Sequence, residues 1–253
     1  MAHAAINVAV YGRDRSRWAM TERGRGDVER STERLQIGPS SLRWEEDRLV
    51  VEFDELGCPI PRRVRGRLVL TPQVQTQHRV LLAEAGQHWW WPVAPRARVE
   101  VELDHPKGTW SGQAYLDSNW GAGALERSFQ TWNWSRGPLG DGAVILYDVV
   151  PREGEPRGVA LQIDGRGQVQ DFEVPALQPL PGTFWRVDRA TRSDGPATLL
   201  RTLEDTPFYT RSLIRTELGG AAIDSVHESL SLDRFDSNLV KVLLPFRMPR
   251  WAR

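Results

Sequence analysis

Two short motifs combine the side chains that acid–base chemistry in an apolar site would need. They are His88-x-Trp90 and Tyr115-x-Asp117. If residues 109–117 form a strand, Tyr115 and Asp117 lie on one face of it, because side chains alternate along a strand. A carboxyl group buried beside an aromatic ring has a raised pKa, since burial disfavours its anion. Asp117 is therefore a candidate general acid; alternatively, it caps a turn by accepting backbone N–H groups.

Several other kinds of chemistry are not predicted. Lys+Arg and Asp+Glu each number 33, so the net charge is zero, and nucleic-acid binding, which needs a basic face, is not expected. Cys58 is the only cysteine, which excludes an intrachain disulfide and a Cys-rich metal site. Glycine motifs for nucleotides and the GxSxG nucleophile motif are absent. No metal site is predicted, because HxH and HxxxH spacings do not occur; the histidines are His3, His78, His88, His105 and His227.

The chain has eleven tryptophans against three methionines. Three of the tryptophans are consecutive, at residues 89–91. Tryptophan commonly fills the interior of β proteins, which is the simpler explanation for any one of them. The cluster also suits a pocket for a flat, apolar, conjugated ligand, and both interpretations stay open here.

Short runs of alternating apolar and polar residues predict an all-β fold. Residues 98–103 alternate strictly, with Val and Leu on one face and charged residues on the other. Turn signals such as Asp164-Gly165 separate the runs, and 17 prolines and 22 glycines leave little room for long helices. The charged residues 23–34 are predicted as a loop or a short helix. Further strands are predicted at residues 6–11, 48–53, 65–70, 109–117, 128–134, 143–149, 199–203, 212–218 and 223–232.

Two β domains fit the length of 253 residues. The first is predicted to span residues 1–120 and the second residues 121–253, with residues 119–123 as the connection. Many short strands at regular spacing are typical of β-barrels and β-sandwiches.

Segments in matching order along most of the chain resemble the carotenoid 1,2-hydratase (hydroxyneurosporene synthase) family of phototrophic bacteria. Together these segments are specific, although no single one would be. They are His88-x-Trp90-x-Pro92-x-Ala94-Pro95, Tyr115-x-Asp117-x-Asn119-x-Gly121, and the stretches at residues 17–24, 37–40, 132–136, 203–209, 227–235 and 244–249.

The resemblance implies a fold, a reaction and a site. The fold is two lipocalin-like β domains packed together. The reaction adds water across the terminal C1–C2 double bond of an acyclic carotenoid such as neurosporene or lycopene, without a cofactor. The residues that carry it fall here on His88, Trp90, Tyr115 and Asp117. The chain departs from the family in two places: members usually have an additional segment before residues 6–12, and they often carry Cys where Ala4 stands.

A mechanism follows as a hypothesis. Asp117 protonates C2, and the rings of Trp90 and Tyr115 stabilise the positive charge on C1. His88 either orients water and takes its proton, or returns a proton to Asp117 between turnovers. Other acids in the matching segments are alternatives, but they are expected in salt links with Arg23 and Arg234; these acids are Glu22, Glu228 and Asp233.

Three other functions remain as alternatives: a non-catalytic carrier of carotenoids or other apolar ligands, a pericyclase-like enzyme on the same scaffold, and a structural β protein. No apolar run approaches the roughly 20 residues of a membrane-spanning helix. Because carotenoids reside in bilayers, a peripheral protein on the cytoplasmic side of a membrane is expected. Trp251 beside Arg247, Arg250 and Arg253 is either a contact with lipid headgroups or a frayed tail.

Overall fold

A computed structural model of the chain describes residues 3–12 and 16–251, and side chains as far as residue 250. Strands dominate this part of the chain, so the all-β prediction is confirmed. The strands are β1 (His3–Ala4), β2 (Asn7–Val10), β3 (Arg17–Met20), β4 (Glu22–Gly24), β5 (Val28–Arg30), β6 (Arg34–Ile37), β7 (Ser40–Glu45), β8 (Arg48–Leu56), β9 (Arg63–Val74), β10 (Val80–Ala83), β11 (His88–His105), β12 (Gly108–Trp120), β13 (Phe129–Leu139), β14 (Gly142–Pro151), β15 (Arg157–Ile163), β16 (Val169–Asp171), β17 (Leu177–Pro179), β18 (Ala190–Arg192), β19 (Thr198–Asp205), β20 (Tyr209–Leu218), β21 (Ala221–Ser231) and β22 (Arg250–Trp251). The helices are α1 (Leu125–Ser128), α2 (Leu232–Phe235) and α3 (Asn238–Arg247).

Each predicted strand coincides with, or overlaps, an observed one. The period-2 pattern succeeds in strands such as β20, where buried residues alternate with more exposed ones. The continuous apolar run at residues 143–149 corresponds to β14, which is buried on both faces along most of its length. The hairpin predicted at Asp164-Gly165 joins β15 to β16, which pair antiparallel. Residues 23–34 differ from the prediction, since they hold β4, a 3-10 turn at Arg25–Asp27 and β5. No helix within residues 3–12 and 16–251 has the length and apolar character needed to cross a bilayer.

The chain forms two compact units, and both are discontinuous in sequence. Unit 1 comprises residues 1–72, 97–114 and 241–253; unit 2 comprises residues 73–96 and 115–240. The long strands β11 and β12 each have one part in unit 1 and another in unit 2. The predicted boundary at residues 120 and 121, and the lipocalin-like character of each domain, stay predictions.

Unit 1 contains an antiparallel meander in which β5, β6, β7, β8 and β9 are successive neighbours. Its apolar core contains Phe53 of β8, Val64 of β9 and Ala19 of β3, all buried. Burial of these side chains supplies the main favourable free energy of this unit, at roughly 25 cal/mol per Å² of apolar surface.

A buried ion pair lies within unit 1. The Glu55 carboxylate accepts two hydrogen bonds from the Arg23 guanidinium, at 3.0 and 2.9 Å, and a third from the Ser40 hydroxyl at 2.6 Å. Gly38, with φ of 56°, permits this approach, because a Cβ there would stand 2.3 Å from Nε of Arg23. Two of the segments that carry the family resemblance, residues 17–24 and 37–40, therefore supply partners of one buried carboxylate.

Unit 2 is built on a seven-stranded antiparallel sheet with the order β16, β15, β14, β13, β21, β20, β19. Directly opposed residues of an antiparallel pair point to the same face. On one face, Ser135 and Ser212 flank the fully buried His227, whose Nε2 lies 2.9 Å from the Ala190 carbonyl. Burial lowers the pKa of His227 to about 4, so this histidine is a neutral structural side chain.

The opposite face of the same sheet carries aromatic and charged residues. Trp134 of β13 is paired with Tyr147 of β14 on one side and with Glu228 of β21 on the other, so the three side chains share this face. Near β14 and β15, this face is covered by a buried apolar core that includes Trp90. Toward β13 and β21 the side chains are only partly buried. This second face is called the aromatic face below.

Candidate active site

The two sequence motifs meet on the aromatic face of unit 2. His88 and Trp90 lie at the start of β11, and Tyr115 and Asp117 lie in the last part of β12. Trp90 is fully buried, and its ring meets the edge of Tyr147 at a centroid distance of 5.3 Å. The alternation of each strand therefore turns Trp90, Tyr115 and Asp117 toward one interior.

Asp117 is the centre of this arrangement. Its Oδ2 accepts a hydrogen bond from Nε1–H of Trp90 at 2.9 Å and another from the Tyr115 hydroxyl at 3.2 Å. Burial raises the pKa of the Asp117 carboxyl, and the two hydrogen bonds only partly oppose that effect. The carboxyl group is thus biased toward its protonated form.

The two oxygens of the Asp117 carboxyl group have different surroundings. Two donors already point at Oδ2, so that atom acts as an acceptor. Oδ1 accepts no hydrogen bond from any described residue. It is also not one of the fully buried polar atoms without a partner, so part of its surface is accessible to solvent. A proton on Oδ1 would therefore face space that water or a substrate can reach.

Aromatic rings surround this carboxyl group. The Tyr115 ring lies 5.2 Å from that of Trp134, and Trp132 meets the edge of Tyr147 at 6.4 Å. Burial raises the pKa of both Tyr115 and Tyr147, which therefore remain neutral phenols. Neutral aromatic faces attract a cation without trapping it as an anionic nucleophile would, at about 0.5–2 kcal/mol per ring.

His88 has different partners. Its Nε2 lies 2.8 Å from the Ser128 hydroxyl, and its ring packs against Phe129 at 5.1 Å. Burial lowers the pKa of His88, which favours the neutral ring. Within the described residues, no hydrogen bond joins His88 to Asp117. The structure thus brings Trp90, Tyr115 and Asp117 together, while His88 contacts Ser128 and Phe129 nearby.

The three consecutive tryptophans do not form one cluster. Trp90 points into the core, while Trp89 stacks on Trp120 at 6.4 Å and the Arg79 guanidinium lies 5.1 Å from the Trp91 ring. The alternation of β11 separates them, so a single ligand pocket lined by all three is not formed.

Glu228 forms an ion pair on the aromatic face with a partner that was not predicted. Arg211 of the neighbouring strand donates two hydrogen bonds to Glu228, from Nε and Nη2. Both reach the same carboxylate oxygen, Oε1. The partner predicted for such acids, Arg234, instead donates to the Trp185 carbonyl at 2.6 Å. The cross-strand pairing of Arg211 with Glu228 was the missing signal, and it becomes visible only once the register is known.

The other alternative acids also have partners that differ from the predicted ones. Glu22 pairs with Arg250 at 2.6 Å, and Asp233 pairs with Arg152 at 2.6 Å. Arg23, the predicted partner of these acids, pairs with Glu55. Salt links were therefore the right type of interaction, but the partners were wrong.

No metal centre emerges from residues 3–12 and 16–250, where no three His, Cys, Asp or Glu side chains cluster as ligands.

Gly121 provides a test of the packing around His88. A Cβ at Gly121 would stand 2.2 Å from Nδ1 of His88, so Gly121→Ala forces the imidazole or the end of β12 to move. We expect a loss of about 1–3 kcal/mol in the free energy of unfolding, measured by urea denaturation. Gly123→Ala is the matched control, because its Cβ would meet only the Ser128 hydroxyl at 3.9 Å. Equal stability of the two variants would contradict the crowding.

The described geometry defines a class of protein: an all-β chain that buries a carboxyl group among aromatic rings. Comparison with known proteins is more specific. The family described as Carotenoid hydratase CrtC matches residues 1–253, and the chain belongs to this family. The resemblance found in the sequence is thereby confirmed.

Individual relatives agree with this assignment. The acyclic carotenoid 1,2-hydratase of Thiocapsa roseopersicina is 47% identical over 251 residues, which is 98% of this chain and 62% of that protein. The protein of the same name from Rubrivivax gelatinosus is 46% identical over 253 residues, 99% of this chain and 62% of its own length. The one from Cereibacter sphaeroides is 38% identical, with 98% of this chain and 89% of that protein covered. The chain thus spans 62% of the length of the first two relatives.

Proposed function

We propose that this chain hydrates acyclic carotenoids, adding water to the terminal C1–C2 double bond of a substrate such as lycopene or neurosporene. The observation that carries the proposal is the Asp117 carboxyl group, held by Trp90 and Tyr115 through Oδ2 and open at Oδ1. Membership of the carotenoid hydratase family and the names of the relatives support the same reaction.

The reaction needs a proton donor because the alkene is unactivated. The O–H bond of Asp117 breaks, and the π electrons of the substrate form the new C–H bond at C2. The positive charge then rests on C1, which carries three alkyl groups. The water oxygen bonds to C1, and loss of a proton from it yields a tertiary alcohol. No electron transfer occurs, so the proposed reaction balances without a cofactor.

The neighbours of Asp117 have distinct proposed roles. Trp90 and Tyr115 fix Oδ2 and thereby aim Oδ1 at the substrate, and their rings stabilise the cation. His88 was proposed from the sequence either to take the proton of water or to return a proton to Asp117. Its contact with Ser128 supports a role in positioning the start of β11.

Incubation of the purified chain with dispersed lycopene in H₂¹⁸O, without added cofactor, tests the proposal. We expect a pigment heavier by one labelled water. Carotenoid that stays bound but unchanged would instead support the carrier, and a rearranged product of unchanged mass would support a pericyclase-like enzyme. Either result would refute the proposed hydration.

We also propose that the protein acts at a membrane surface. Helix α3 exposes Leu239, Val242, Leu243 and Phe246, which follow the i, i+3, i+4, i+7 spacing of one helix face. Such an apolar face on a helix with basic residues suits the interface of an anionic bilayer. A substrate dissolved in the hydrocarbon of the bilayer would be reached there.

The single free thiol of Cys58 is compatible with the reducing, cytoplasmic side of the membrane. The contact predicted through Trp251 and Arg253 lies outside the described side chains.

Flotation with vesicles of phosphatidylcholine and phosphatidylglycerol tests this proposal. Phe246→Ser is expected to weaken vesicle binding about tenfold, because it removes a large apolar side chain from the buried face. Phe184→Ser is the matched control, since Phe184 is equally large and 86% exposed but lies outside α3. Equal binding by the two variants, or no binding by the unchanged chain, would show that α3 does not contact lipid.

A further inference from the structure

The hydration proposed above leaves one proton without an assigned acceptor. When water attacks C1, its oxygen becomes positively charged and must lose a proton. A base for this step has to lie near the same interior as Asp117, because the donor and the water act on adjacent carbon atoms. Besides Tyr115, the charged side chains that influence the pKa of Asp117 include Glu228, which raises it, and Arg211, which lowers it.

Glu228 lies on the aromatic face that also holds the surroundings of Asp117. It is paired directly with Trp134, so the two side chains point to the same side of the sheet with Cβ atoms about 5 Å apart. The Trp134 ring in turn contacts Tyr115, which donates to Asp117. Trp134 is therefore the cross-strand neighbour of Glu228 and the ring neighbour of the tyrosine that donates to Asp117.

The Arg211 guanidinium holds Glu228 in a way that leaves one oxygen available. Both hydrogen bonds that Arg211 is seen to donate to Glu228 reach Oε1, and Oε2 accepts none from the described residues. The Glu228 side chain is 19% exposed, so Oε2 is not sealed from water. The ion pair with Arg211 therefore fixes Glu228 through Oε1 and leaves Oε2 available to a water molecule.

Trp134 supplies the complementary donor. Its Nε1 is buried and has no hydrogen-bond partner among the described residues. A buried donor of this kind costs about 1–3 kcal/mol unless water or a ligand satisfies it. A water molecule that accepts from Trp134 Nε1–H and donates to Glu228 Oε2 would satisfy both atoms.

We propose that Glu228 is the catalytic base, which removes the proton from the water that attacks C1, and that Trp134 positions this water. This inference rests on the proposed hydration. Asp117 loses its proton to C2, the water oxygen forms the bond to C1, and the proton of that water passes to Oε2 of Glu228. Exchange with solvent then returns a proton to Asp117 and removes one from Glu228, so charge and atoms balance.

His88 is the rival base, and its surroundings favour Glu228. Nε2 of His88 is occupied by Ser128, and Gly121 lies against Nδ1 so closely that even a methyl group would not fit between them. The contacts of His88 are with Ser128, Phe129 and Gly121, whereas Glu228 is the cross-strand neighbour of Trp134, whose ring contacts Tyr115.

Glu228→Gln in D₂O separates the two half-reactions. The change keeps the shape of the side chain and removes the base, so hydration of lycopene is expected to fall about 100-fold or more. Asp117 still delivers a deuteron to C2, but the cation then collapses by losing a proton rather than by capturing water. Unhydrated carotenoid recovered from this variant should therefore carry deuterium, as detected by mass analysis.

Three comparisons make the experiment decisive. Asp224→Asn is the matched control, because Asp224 pairs with Arg215 on the same two strands but is solvent-exposed, and it should hydrate like the unchanged chain. Glu228→Ala with added formate should regain hydration, which a purely structural role would not predict. A thermal unfolding curve close to that of the unchanged chain would establish that Glu228→Gln is folded.

The outcomes distinguish this inference from the proposed function. Hydration by Glu228→Gln near the original rate, or loss of both hydration and deuterium uptake in the folded variant, would refute the base assignment alone. Deuterium uptake without hydration in His88→Gln, and not in Glu228→Gln, would assign the base to His88. Hydration absent from the unchanged chain would overturn the proposed function and this assignment together.

Discussion

Asp117→Asn should lower carotenoid hydration by about 10²–10⁴-fold, which is the usual contribution of a general acid. The amide keeps the shape of the side chain and an oxygen for the Trp90 and Tyr115 donors, but it has no acidic proton. Hydrated product formed from lycopene per unit time is the measurement. In D₂O the variant should also leave the unhydrated carotenoid unlabelled, unlike Glu228→Gln.

Asp104→Asn is the matched control for this substitution, because Asp104 lies near the end of β11 with a side chain that is 65% exposed. Its rate should equal that of the unchanged chain. Hydration by Asp117→Asn at a comparable rate would exclude Asp117 as the proton donor.

The hydration rate of the unchanged chain should depend on pH in one direction. Burial raises the pKa of Asp117, so the rate should fall as the pH rises through that raised pKa and the carboxyl group loses its proton.

Glu55→Gln should lower the free energy of unfolding by about 3–5 kcal/mol, since it leaves the Arg23 guanidinium without its counter-charge in a buried place. The Glu55 side chain is fully buried and that of Arg23 is only 12% exposed, so water does not replace the lost partner. Urea denaturation of the purified chain gives the value.

The neighbouring residue provides the matched control for Glu55. Asp54 makes an ion pair of similar shape with Arg63, but the Arg63 side chain is half exposed. Asp54→Asn should therefore cost no more than about 1 kcal/mol, as is usual for a surface pair. Similar losses in the two variants would mean that burial does not determine the strength of these pairs.

Much of the fold follows from the sequence because local alternation is a property of each strand alone. The strand pattern at residues 98–103 and the turn at Asp164-Gly165 needed no knowledge of distant residues. Pairing between distant segments was not accessible in this way. The units are discontinuous because β9, β11, β12 and α3 each have residues in both units. The alternation of apolar and polar residues does not show where such an element passes from one unit to the other.

The candidate site also combines contacts that are local in sequence with contacts between distant segments. Tyr115 and Asp117 are two residues apart, so their common face was predictable from strand geometry, and the hydrogen bond between them agrees with it. Glu228 and Arg211 are 17 residues apart, and only the register of β20 against β21 places them together. Resemblance to a family identified the motif residues, named Glu228 only as an alternative acid expected in a salt link, and did not single out Trp134.

The position of residue 120 at the end of β12 has a consequence for chimeric genes. A crossover there between two relatives would take β11 and β12, and with them Asp117, from one parent. The sheet that bears Trp134 and Glu228 would come from the other parent. Such hybrids would inherit the proposed proton donor and the proposed catalytic base separately. Their activities would therefore report whether the two halves of the reaction have diverged together among relatives.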